Sequence, residues 1–270
     1  MKSVRVFSVL VAAGVMAVGL CVPTAVGAPL PLVQETFSHP DGGLVGQTPT
    51  PGPGAAWAAH SGAGNKPIQV SSGEVTLTQS GGSGEDVNTA FSARSGQATT
   101  YARFDFRLPG GQTVDPDADG LYFAHFKDDG FFFKARTGVL SPTAAGDFAL
   151  AINAESSNLG AGATWPSDLS FDTTYRVVIS FNAATAESKL WLDPVDESSA
   201  SISHTGTFLN DKMSQFAFRQ SNDYTGSQIV DNLVVGRSFK QALTGIPEPS
   251  SVVLMLLGTA AIGLIGYRKN

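Results

Sequence analysis

From Thr99 to Leu108 the chain alternates without a break, with Ala102, Phe104, Phe106 and Leu108 on one face and Tyr101, Arg103, Asp105 and Arg107 on the other. A period of two with one apolar face is satisfied by a half-buried β-strand, whereas a helix would scatter the same side chains around its circumference. The pattern returns at Leu121–Lys127, Phe131–Arg136, Asp147–Asn153, Tyr175–Phe181, Lys189–Asp193, Gln215–Gln220 and Ile229–Val235. Clusters of Gly, Asn, Asp, Ser and Pro lie between these runs, as turns require. No window of a dozen residues among them holds a convincing amphipathic helix. Many short strands at close spacing predict an all-β fold, a two-sheet jelly-roll sandwich.

The two ends follow a different logic. Lys2 and Arg5 precede an apolar stretch from Val6 to Leu20, and Val26-Gly27-Ala28 offers small residues for cleavage after Ala28. This order of charged, apolar and small-residue regions predicts a signal peptide over residues 1–28, removed by signal peptidase. Cys21 follows Leu20, where lipid attachment would call for a small residue, so removal of the leader takes away the only cysteine. At the other end Ile246-Pro-Glu-Pro-Ser250 is followed by an uncharged apolar run over 251–267 and then by Arg268, Lys269 and Asn270. A helix over 251–267 would measure roughly 25 Å, near the lower limit for a single C-terminal transmembrane helix. The terminal cations suit a cytoplasmic end, with the span in the inner membrane.

Pro247, Glu248 and Pro249, one short span and the basic pair Arg268 and Lys269 resemble the PEP-CTERM sorting signal. That resemblance implies recognition of residues 246–270 by exosortase, a membrane-anchored precursor, and an exported product in the cell envelope, at the cell surface or in the extracellular matrix.

Residues 29–245 are then the cargo, and they have no thiol, so no disulfide or cysteine metal ligand is available to them. Setting aside Lys2, Arg5, Arg268 and Lys269 from the 17 Lys+Arg, and Glu248 from the 23 Asp+Glu, leaves 13 cations against 22 anions. Such a balance argues against nucleic acid and anionic lipid as partners, and is compatible with divalent cations and neutral glycans. Glu35-Thr-Phe37 opens the domain, Tyr175-Arg-Val-Val-Ile179 and Leu190-Trp-Leu-Asp-Pro194 sit in its second half, and Val230-Asp-Asn-Leu-Val-Val235 closes it. In this order they resemble the concanavalin A/laminin-G-like jelly rolls. The resemblance implies that the first and last strands lie side by side, with Phe37 near Leu233.

Local chemistry is sparse. Asp115-Pro-Asp-Ala-Asp-Gly120 resembles the first half of a calcium loop, in which Asp115, Asp117 and Asp119 would converge on one hard cation. Position twelve of that loop is Phe126 rather than Glu, so the segment reads as an acidic solvated turn between strands, unless remote residues such as Asp128 or Asp129 complete a site. The Glu-x-Asp-x-x-Glu string of laminarinase-like jelly rolls is missing, and Leu121–Lys127 shows Tyr122, His125 and Lys127 but no carboxylate. His39, His60, His125 and His204 lack zinc-binding spacing, and no Gly-x-Ser-x-Gly elbow occurs. For sugar binding, which pairs aromatic platforms with polar groups, Trp165 and Tyr224 are the candidates, Asn222, Asp223 and Asn232 being polar neighbours in sequence. Trp57 is a further possible platform, Trp191 reads as core or sheet face, and Arg136 and Arg219 as surface strand residues. The expectation is a non-catalytic structural or carbohydrate-binding protein meeting extracellular polysaccharide. A polysaccharide-active hydrolase or lyase is the first alternative, favoured by a carboxylate pair in a cleft. A ligand-free scaffold is the second.

Overall fold

The computed structural model describes residues 29–246 except 80, 97, 115–121, 210 and 222–225. Among the described residues the strands are β1 (Val33–Glu35), β2 (Gly42–Gly43), β3 (Ala58–Ser61), β4 (Gln69–Ser71), β5 (Glu74–Thr78), β6 (Asp86–Arg94), β7 (Thr99–Arg107) and β8 (Tyr122–Lys127). They continue with β9 (Phe133–Leu140), β10 (Ala149–Asn153), β11 (Ala163–Thr164), β12 (Thr174–Asn182), β13 (Glu187–Leu192), β14 (Ser201–Thr205), β15 (Met213–Phe218) and β16 (Ser227–Gly236). One short helix, α1 (Phe239–Thr244), follows.

These strands form two antiparallel sheets. The first runs β14-β13-β12-β7-β16-β5-β4-β2, with β1 added against β16, and the second runs β11-β10-β9-β8-β15-β6-β3. Every strand anticipated from alternation is present, and β7 matches its run almost residue for residue. Its apolar face, with Ala102, Phe104 and Phe106 fully buried, packs on the second sheet, where Phe106 stacks on Phe123 with centroids 4.8 Å apart. Phe104 meets Phe216 and Phe218 edge-on or tilted at 6.1 and 6.3 Å. Burying several such rings supplies the main stabilisation of a chain segment without disulfides.

First and last strands do pair, in the register Val33↔Val235 and Glu35↔Leu233, which leaves Phe37 two residues beyond. Glu35 is wholly buried and acts as a tie point: it accepts from the Phe37 amide (2.7 Å), Trp57 Nε1 (3.1 Å) and the Thr50 amide (3.4 Å), and its Oε2 lies 2.9 Å from His39 Nε2. Trp57 is therefore a core residue. Trp191 is also buried, but on the outer face of the nine-stranded sheet, where α1 covers it through Phe239 at 5.0 Å. Ser238 caps that helix and Gly245, at φ 68, ends it in the left-handed region that glycine tolerates.

The all-β sandwich stands, but the transmembrane part of the expectation is corrected. No helix among the described residues is long and apolar enough to cross a membrane. The apolar run 251–267 lies outside the described residues, as do Pro247, Glu248, Pro249, Arg268, Lys269 and the leader over 1–28. A membrane-anchored precursor, inner-membrane attachment and partnership with exosortase or signal peptidase accordingly have no structural support and are withdrawn.

Candidate functional site

The outer face of the seven-stranded sheet carries the most unusual side-chain arrangement in the fold. All six residues of β8 are buried, although one face of this strand points away from the sandwich core. A regular strand would put Tyr122 and His125, three residues apart, on opposite faces. The register against β9 slips between Tyr122 and Ala124 and again between Ala124 and Phe126. An inserted residue reverses the alternation locally, so Tyr122 and His125 emerge on the same side with centroids 5.3 Å apart. The partner strand repeats the device around Ala135, which has φ 51, and Phe133 and Arg136 come together with the guanidinium 5.2 Å from the ring.

The result is a continuous array. Phe131 sits 6.4 Å from Phe133, Phe133 lies 4.6 Å from His125, and His60 from β3 reaches both at 6.1 and 6.0 Å. Arg136 and Arg219 lie over Tyr122 at 4.8 and 4.4 Å. Phe131 is 78 % exposed, so the array opens from a buried imidazole towards a solvent-facing ring at the β8–β9 turn. On the same strands Lys127 donates to Gln215 Oε1 (2.8 Å) and to the Asp128 carbonyl (3.1 Å). Burial, then Lys127, push the His60 pKa down to about 4, with a hydrogen bond that His60 makes to the Asn88 side chain opposing them. His125 is held well below the ordinary histidine value by burial first and by His60, Arg136, Arg219 and Lys127 after it.

A second polar site lies on the outer face of the nine-stranded sheet. Asp105 of β7 stands directly opposite Asp231 of β16, and the amide of Asn232 donates to both, at 3.1 and 2.9 Å. Asn232 can do this because it has φ 54 at the bulge in β16, a conformation that asparagine accepts more readily than most residues. Arg176 donates to both Asp105 oxygens (3.0 and 3.4 Å), and Arg107 pairs with Glu74 at 2.9 Å. Burial, with help from Asp105 and Glu74, raises the Asp231 pKa to about 6 against the hydrogen bond from Asn232. Asp105, Thr174, Arg176, Asp193 and Pro194 line an open groove of about 270 Å³ here.

Of the residues singled out in the sequence, Trp165 follows β11, donates its amide to Leu150 (2.8 Å), and packs half-buried against the core. Tyr224, Asn222, Asp223 and the acidic segment Asp115, Asp117 and Asp119 lie outside the described residues. No group of three or more His, Cys, Asp or Glu side chains suited to a metal ion occurs among the described residues. His204 accepts from the Ala154 amide and is structural. The bulges are what strand periodicity missed: no residue type announces them, and without them Tyr122, His125, Phe133 and Arg136 do not read as one cluster.

No family model and no curated protein matches this chain. Solved structures similar to it include a sialidase (14% identity, TM-score 0.45), which matches over 70% of this chain, the matched part being 18% of the sialidase. They also include peanut lectin with a nine-residue peptide (12% identity, TM-score 0.42, 70% of this chain and 94% of that one). The exoplasmic/lumenal domain of VIP36 in a Ca2+/Man3GlcNAc-bound form is another (15% identity, TM-score 0.43, 72% and 88%). At this distance they transfer neither ligand nor residue roles, and function rests on the chain's own side chains.

Proposed function

We propose that this protein is a non-catalytic carbohydrate-binding module whose ligand lies along the outer face of the seven-stranded sheet. The observation that carries this reading is the ring series Phe131–Phe133–His125–Tyr122 flanked by Arg136 and Arg219. Ring faces stack on the apolar faces of sugars, and guanidinium groups donate to their oxygens. The accessible parts are Phe131 and the partly exposed Phe133 and Arg136, and the buried imidazole supports them from beneath. Extracellular polysaccharide is the natural partner class for such an extended surface. A glycan-array screen of the full chain tests the reading, with Phe131→Ala as the diagnostic variant. Binding that Phe131→Ala weakens supports it, and silence across the array refutes it.

A calcium requirement belongs to the same proposal. Asp115, Asp117 and Asp119 directly precede β8 in sequence, and the solved VIP36 form carries Ca2+ by its own description. Screening with calcium and then with chelator tests it. Binding unchanged by chelator removes calcium from the account.

Hydrolysis of polysaccharide is the second reading, favoured by one observation. Asp105 and Asp231 share a single amide donor, so their two bonded oxygens are no farther apart than the two hydrogen bonds together allow. Close carboxylates are the equipment of glycoside hydrolysis, and burial raises the pKa of Asp231. Release of reducing ends from a polysaccharide, abolished by both Asp105→Asn and Asp231→Asn, would move the assignment to this groove.

A further inference from the structure

The charge on the proposed binding face is opposite to that of the protein. The chain carries a formal net charge of −6, yet the titratable groups that bear on His125 are all bases: His60, Arg136, Arg219 and Lys127. Among the described residues neither Lys127 nor Arg136 enters an ion pair. Lys127 is satisfied by neutral oxygens, and Arg136 faces the rings of Tyr122 and Phe133. The nearby carboxylates bear on the flanking bases and not on Arg136: Asp86 on Arg219, and Asp128 and Asp129 on Lys127. Asp86 also accepts from Ser61 Oγ (2.8 Å) and the Gln220 amide (2.8 Å). Asp128 accepts from the amides of Gly130 and Phe132, and Asp129 pairs with Lys212.

Independent of charge, the same cluster holds buried polar nitrogens without partners. His125 is fully buried and neither ring nitrogen has a hydrogen-bond partner, and Arg136 Nε and His60 Nδ1 are in the same condition. Buried polar groups are almost always paired, so four unpaired nitrogens in one cluster mark a place where the fold gives up stability. Gathering like charges there adds to that cost. An anion offsets the like-charge term, because a carboxylate or sulfate accepts from a guanidinium edge in a planar, two-pronged geometry while the ring faces remain free for the sugar.

We propose that the ligand of this face is an anionic polysaccharide, one bearing a carboxylate or sulfate on its sugar rings, with Arg136 as the residue that selects the charge. This rests on the carbohydrate-binding reading above and specifies its substrate class. The acidic bulk charge is compatible with neutral glycans, and the local field on this face favours an anionic one instead.

The test is calorimetric titration of the full chain with polygalacturonate, with the same polymer after carboxyl reduction, with dextran sulfate and with dextran. Polygalacturonate or dextran sulfate should bind at least about tenfold more tightly than its uncharged counterpart, the scale of one charge-assisted hydrogen bond. The better of the two identifies the anion. Arg136→Gln should remove the preference for charge, Arg136→Lys should restore part of it, and Phe131→Ala should weaken all polymers that bind. Equal binding of charged and uncharged polymers by the unaltered protein overturns this inference and leaves the carbohydrate-binding reading standing. No binding to any of the four overturns both.

Discussion

Replacing Glu35 with alanine should be among the most damaging single changes in the domain. The carboxylate is wholly buried and accepts from Phe37, Trp57 and Thr50, with His39 Nε2 2.9 Å from its Oε2. Alanine leaves the Phe37 amide and the Trp57 indole N–H buried with nothing to bond, at about 1–3 kcal/mol each. The Thr50 contact at 3.4 Å is long and adds little. The vacated volume adds a smaller cavity term, so the total is about 3–5 kcal/mol. Because β1 pairs with β16, the loss should appear as one cooperative shift rather than as fraying of the N-terminus. Urea unfolding followed by tryptophan fluorescence and by far-ultraviolet circular dichroism measures it. Coincident transitions at lower midpoint are expected, and Glu35→Gln, which keeps one acceptor, should lose roughly half as much. A loss below about 1 kcal/mol would refute the view that Glu35 ties β1 to the sandwich.

Three further outcomes follow from the described contacts. Lys134 is buried between Asp211 (2.8 Å) and Glu155 (3.4 Å), so Lys134→Ala should cost about 3 kcal/mol and Lys134→Met, which keeps the packing, about 1 kcal/mol by the same unfolding assay. Asp231 should titrate near pH 6 in carboxyl carbon NMR, its midpoint falling in Asp105→Asn; a midpoint near 4 in the unaltered protein would contradict the packing inferred around it. Its folded pKa is raised from 3.8, so its contribution is present below about pH 4 and lost as pH rises through about 6. Being half exposed it is screened, and Asp231→Asn should gain about 1 kcal/mol above pH 6 and nothing below pH 4. His60 runs the other way: its folded pKa is depressed from 6.5 to about 4, so stability present above pH 6.5 drains away as pH falls through 4, and His60→Gln should show a shallower acid loss.

The sandwich was legible because alternation is a local property: Ala102, Phe104 and Phe106 declare their common face without reference to the rest of the chain. Strands with weaker contrast were not legible. Asp86–Arg94 and Ser201–Thr205 take their order from pairing with β15, β3 and β13 rather than from their own pattern. The candidate site was hidden for a related reason. Arg136 and Arg219 are 83 positions apart and read as ordinary surface residues, and only the order β9-β8-β15 brings them over the same tyrosine. Asp105 and Asp231 are likewise brought face to face by the β7–β16 pairing. Trp57, a possible platform in the sequence, is spent on packing and hydrogen-bonded to Glu35, Trp191 lies beneath α1, and Trp165 packs half-buried against the core.

The central claim is that the outer face of the seven-stranded sheet binds carbohydrate. The most direct measurement is a pair of amide and methyl NMR spectra of the full chain, without and with saturating polygalacturonate oligomers. The account predicts shifts concentrated at Phe131, Phe133, Arg136 and His125, with the Asp105–Asp231 pair unmoved. Shifts confined to that pair would contradict it.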